Sequence, residues 1–77
     1  MMELVSVKLI SVTGNQEEFG DLVGTTGKLN LVHGREWYHP TGAESVVLTR
    51  KRVSWKDGVI KIWTKLGNVF TFRALGG

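Results

Sequence analysis

The chain contains no cysteine and a single proline. Without cysteine there is neither a disulfide nor a thiolate-bound metal, so two common staples of small domains are excluded. The same lack fits a reducing cytoplasm, where the protein is expected to work. Long apolar runs are missing too. The opening "MMELVSVKLISV" has no positive region ahead of its apolar stretch and is interrupted by Glu3 and Lys8. It therefore reads as neither a secretory signal nor a membrane span, and no membrane partner is expected. Carboxylates become scarce late in the chain. Residues 1–44 hold three Lys/Arg against six Asp/Glu, net −3, whereas residues 45–77 hold seven against Asp57 alone, net +6. Such asymmetry bears on partners, nucleic acid or an acidic protein, rather than on fold.

Seventy-seven residues allow one domain, 1–77, whose core is thin because so short a chain buries only about 60% of its unfolded surface. Glycine is what the chain has in quantity. Eight glycines ahead of the final pair cut it into pieces of strand length. In "ELVSVKLISVT", Val5, Val7 and Leu9 share one side, and Ile10 and Val12 then take over. That change of parity predicts a bulge near residues 9 and 10. "GNQEEFGDLVG" (14–24) is the one candidate helix, with Asn15 as its cap. Gly20 costs it about 1 kcal/mol against alanine, so at most a short helical turn is expected near residues 15–23. "GKLNLVHG" reads as a strand facing inward through Leu29 and Leu31. "REWYHP" reads as a second strand or ordered loop ended by Pro40, and "TGAE" turns the chain into "SVVLT".

The last third is patterned most sharply. Asp57-Gly58 suits a two-residue hairpin turn, which needs positive φ at both positions. Taken literally, it sets Trp55 opposite Ile60, Val53 opposite Ile62 and Lys51 opposite Thr64 on one face. Ser54–Lys61, Arg52–Trp63 and Arg50–Lys65 fall on the other. A three-residue turn at Leu66-Gly67-Asn68 then sets Phe70 opposite Thr64 and Phe72 opposite Ile62. The two-residue alternative would bury an unpaired Arg73 guanidinium and is rejected. The expected inner face is Val53, Trp55, Ile60, Ile62, Phe70 and Phe72. The expected fold class is all-β: a small antiparallel five- or six-stranded partly open barrel, SH3-like, with an OB-like barrel second.

The outer face of this meander gathers Arg50, Arg52, Lys61, Trp63, Lys65 and Arg73 as candidate nucleic-acid-binding residues. Cations that follow phosphates beside an aromatic that stacks a base are what sequence-tolerant single-strand binding requires. The competing explanation is a solvated or protein-facing sheet surface on which Arg52 and Trp63 form a local cation–π pair. "HGREWYH" places His33, Glu36 and His39 within seven residues, but on an extended chain Glu36 points away from the histidines, and no metal or other cofactor is expected. Trp37 and Tyr38 form a candidate protein-contact patch, with core packing expected of one of the two, and a thin core with spare aromatics favours a homodimer. "GTTGK" (24–28) fails the phosphate-loop pattern at Leu22 and Leu29. With no nucleophile elbow or carboxylate pair, the expectation is a non-enzymatic binding module, with a self-associating interaction or structural subunit as the alternative. The ending "FRALGG" resembles the ubiquitin-like carriers at its final Gly-Gly alone. Their fold implies a long helix across the sheet, which Gly20 interrupts here.

Overall fold

The computed structural model describes residues 4–14, 19–32 and 35–75, apart from the side chain of Val32. Seven strands run in chain order: β1 (Leu4–Thr13), β2 (Thr26–Val32), β3 (Arg35–Pro40), β4 (Val46–Leu48), β5 (Arg50–Lys56), β6 (Val59–Thr64) and β7 (Val69–Ala74). One 3₁₀ turn, Gly20–Leu22, is the helical element expected between residues 15 and 23, and Asn15 lies outside the described residues. All strands belong to a single antiparallel sheet in the order β4-β3-β2-β1-β7-β6-β5, so the fold is all-β with seven strands rather than five or six. The extra strand arises because the stretch after Gly42 is divided at Thr49: its first part pairs with β3 and its second with β6. The chain thus steps from one edge of the sheet to the other through one residue, although pairing does not close the sheet.

One face of that sheet supplies the whole core. Val7, Leu9 and Val12 of β1, Leu29 of β2, Tyr38 of β3, Leu48 of β4, Ile60 and Ile62 of β6, and Phe70 and Phe72 of β7 form one buried cluster. Side chains from both ends of a sheet can meet only if it rolls up, and period-2 alternation then leaves the other face convex and wet. The β1 bulge falls where the parity changes, between Leu9 and Ser11. Ile10 is the extra residue and is exposed, whereas Val12 returns to the core, so only the second half of the expected Ile10–Val12 pair points inward.

The Asp57-Gly58 turn forms as expected, with φ of 54° and 75°, and fixes Trp55 opposite Ile60, Val53 opposite Ile62 and Arg52 opposite Trp63. Beyond Arg52 the literal register fails. A bulge at Lys51 brings Arg50, not Lys51, opposite Thr64 and turns Arg50 to the inner side, where its Nε lies 3.1 Å from Glu36 Oε2. A lysine at that inner position would be desolvated, whereas the bulge leaves Lys51 in water and gives Glu36, 3% exposed, a guanidinium. The β6–β7 register is also corrected. Ile62 faces Phe70 and Ile60 faces Phe72, two residues from the expected pairing. The three-residue turn forms one position earlier, at Lys65-Leu66-Gly67, where Thr64 N–H donates to Asn68 O (2.9 Å), Asn68 N–H donates to Thr64 Oγ1 (3.0 Å), and Asn68 Nδ2 donates to Thr13 O (3.2 Å). A slip of two preserves the faces, so both phenylalanines stay inside.

Two aromatics sit differently from expectation. Trp55 shares the parity of the core but is 48% exposed, because β5 is an edge strand that runs past the packed cluster. Tyr38, assigned to a contact patch with Trp37, is fully buried against Phe72, with ring centroids 5.0 Å apart. Its hydroxyl lies 2.7 Å from Thr25 Oγ1, which donates to Leu22 O at 2.6 Å. Thr25 has one proton, so Tyr38 is the donor in this relay from β3 to the 3₁₀ turn.

Burial pushes the Tyr38 phenol above the ordinary tyrosine range, and the Thr25 hydroxyl, which can turn to donate to a phenolate, pulls it down by less. A phenol that ionises higher folded than unfolded contributes stability present in full below the unfolded value of about 10. That contribution is lost as pH rises through the folded value. Phenolate absorbance from this single tyrosine is expected to appear at higher pH in the native protein than in denaturant. Coincident titrations in the two solvents would contradict the burial.

Candidate nucleic-acid interface

The convex face can be read in rows from the pairing. Lys56 of β5 lies opposite Val59 of β6, Val59 opposite Arg73 of β7, and Arg73 opposite Lys8 of β1. Three cations therefore share one row across four neighbouring strands. In the next row Ser54, Lys61, Thr71 and Ser11 are aligned, which places Lys61 diagonal to Arg73. A third row sets Arg52 opposite Trp63 and Trp63 opposite Val69. The outward positions of β5, β6, β7 and β1 carry no Asp or Glu among the described residues. With strands about 4.8 Å apart, the charged row spans about 15 Å.

Arg73 directly across from Lys8 is energetically unfavourable without a counter-ion, because like charges on opposed strand positions destabilise the pair. Arg52 and Trp63 are in contact, the guanidinium carbon 3.9 Å from the ring centroid. The indole is therefore half-buried beneath Arg52 and does not present an open ring. What this stack offers is the outer surface of the guanidinium plane, on which a base can also stack. Shallow hollows flank it, one bordered by Lys51, Arg52 and Trp63, another by Ser54, Lys56, Val59, Lys61 and Trp63 with Asp57 of the turn at its end.

Of the six residues singled out in the sequence, Arg52, Lys61, Trp63 and Arg73 share this surface. Arg50 does not, being turned inward to Glu36. Lys65 is exposed in the β6–β7 loop, where its N–H donates to Thr49 O. Two members were missed, Lys8 and Lys56. Both were legible by parity, since Lys8 alternates with the inward Val7 and Leu9, and Lys56 follows Arg52 and Ser54 in step. Only the adjacency of β1 and β7, which sets Lys8 opposite a residue 65 positions on, Arg73, was beyond local pattern.

Further round the sheet, Trp37 and His39 stand on the outer side of β3, stacked at 6.3 Å with nearly parallel rings. His39 Nδ1 lies 2.6 Å from Ser45 Oγ, while Glu36 faces inward to Arg50, so these two groups of the "HGREWYH" segment point to opposite faces. His33 and the terminal Gly76-Gly77 lie outside the described residues. No helix among the described residues is long and apolar enough to cross a membrane. Protein-family models, curated proteins and solved structures give no match to this chain, so the site is read from its own residues.

Proposed function

We propose that this small β domain, a partly open barrel of the SH3-like kind, is a non-enzymatic module that binds nucleic acid with little sequence preference, single strands above all. The observation that carries this reading is the like-charge pair Lys8–Arg73, in one row with Lys56 and diagonal to Lys61, on strands whose outward positions carry no carboxylate among the described residues. Phosphates supply the missing counter-charge, and the Arg52–Trp63 stack supplies a platform for a base. A convex surface favours a strand that can bend round it over a stiff duplex.

Titration of a labelled single-stranded oligonucleotide at low salt tests the proposal. With four phosphates neutralised, the logarithm of affinity should fall against the logarithm of salt with a slope of about −3. Trp63→Ala should weaken binding by about 1–3 kcal/mol whichever base is offered. Lys8→Glu with Arg73→Glu should abolish binding and leave the far-ultraviolet spectrum native, whereas reversing Lys65 should matter little. Absence of binding at tens of micromolar protein, or binding indifferent to the Lys8–Arg73 reversal, would refute it.

A further inference from the structure

Asp57 stands beside Lys56 in the β5–β6 turn, but two other exposed carboxylates lie away from the cationic rows. Asp21, on the 3₁₀ turn, and Glu44, in the β3–β4 connection, border one groove of about 600 Å³ whose walls include Phe19, Leu22, Val47 and Leu66. A smaller hollow of about 80 Å³ continues it past Val47 and Leu66 to Phe70. Val47 is 42% exposed and Leu66 88%. No Lys or Arg lines either hollow among the described residues. The groove runs beside β4, an edge strand that pairs on one side only, so part of its backbone is open to a further strand. An apolar trough with two carboxylates on its rim suits an extended segment that carries an apolar anchor beside lysines.

The opposite edge of the same sheet is such a segment. Among the described residues β5 is the terminal strand of the sheet and its ladder runs to β6. Trp55 is half exposed there, with Lys51 and Lys56 exposed on the same strand. Tryptophan is the side chain that most often anchors an interface, and one exposed on an edge strand marks a contact surface. The two edges are thus opposite in charge and both present apolar side chains. We infer that the β5 edge of one copy, anchored by Trp55, docks in the Asp21–Glu44 groove of a second copy.

This contact joins two different surfaces, so it is head-to-tail. Each added copy leaves one groove and one β5 edge unfilled, and assembly proceeds to a ring or filament instead of stopping at a dimer. The contact shares Lys56 with the cationic row but uses none of Lys8, Lys61 and Arg73, so it is tested on the protein without nucleic acid.

Sedimentation velocity on the nucleic-acid-free protein, from micromolar to several hundred micromolar, provides the test. The wild type is expected to grow past the dimer as concentration rises. A groove variant, Asp21→Lys with Glu44→Lys, should be monomeric, and so should an edge variant, Trp55→Ser with Lys51→Glu. Mixed in equal amounts, they should form a one-to-one dimer and nothing larger, since the intact edge of the first meets the intact groove of the second. A wild type that stays monomeric overturns the inference and leaves the groove to a foreign basic segment. A mixture that stays monomeric, or either variant alone assembling like the wild type, overturns it equally. Circular dichroism of both variants, altered only at exposed positions, verifies that they fold.

Discussion

Phe72→Ala is expected to cost about 3–5 kcal/mol and to bring the domain to the edge of unfolding. A chain of this length is held by roughly 4–12 kcal/mol in all. Phe72 sits where the two ends of the sheet converge: it is opposite Ile60 on β6 and Leu9 on β1, edge-on to Tyr38 and stacked with Phe70 at 6.3 Å. Truncation opens a cavity walled by four strands whose backbones are fixed by the ladder, so the site has little room to collapse. Urea unfolding followed by tryptophan fluorescence measures the loss. Phe72→Leu, which keeps most of the volume, should cost less than about 1.5 kcal/mol. Trp55→Ala is the informative contrast. Its side chain is already half in water, and the change should cost about 1–2 kcal/mol. Equal losses at Phe72 and Trp55 would mean that both belong to the core.

Arg50→Ala is expected to destabilise by about 3–5 kcal/mol, because it withdraws the guanidinium from the buried carboxylate of Glu36. The pair spans from β3 to β5 across the Thr49 corner, where the chain passes between the sheet's edges. Replacing both partners with apolar side chains of similar size, Arg50→Met with Glu36→Leu, should recover most of the loss, since no charge is then left buried. Arg52→Ala removes an exposed cation stacked on Trp63 and should cost no more than about 1 kcal/mol. The two arginines are expected to exchange rank in an oligonucleotide titration: Arg52→Ala weakens binding, and the folded Arg50→Met, Glu36→Leu protein binds as the wild type does. If Arg50→Ala changes stability by less than about 1 kcal/mol, the ion pair is an ordinary surface contact.

Residue pattern by itself determined everything that depends on alternation and turn chemistry. It determined the all-β class, the bulge after Leu9, the Asp57-Gly58 hairpin with its four cross-strand pairs from Trp55–Ile60 to Arg52–Trp63, and the inward faces of Leu29, Ile60, Ile62, Phe70 and Phe72. These are local quantities: a period of two, a positive φ, the cost of burying a charge. Register was legible only modulo two, because a slip of two residues in the β6–β7 loop leaves every side chain on its face, and the choice fell to Thr64, Asn68 and the distant carbonyl of Thr13. Where a strand sits in the sheet was not legible at all. Trp55 and Tyr38 have the same inward parity, yet β5 lies at an edge and β3 lies between neighbours, so one ring stands in water and the other in the core. Tertiary structure likewise decided the composition of the basic face. It drew Arg50 inward to a carboxylate on β3 and set Lys8, from the acidic half of the chain, directly against Arg73, because electrostatics acts through space between strands that only the closing of the core brings together.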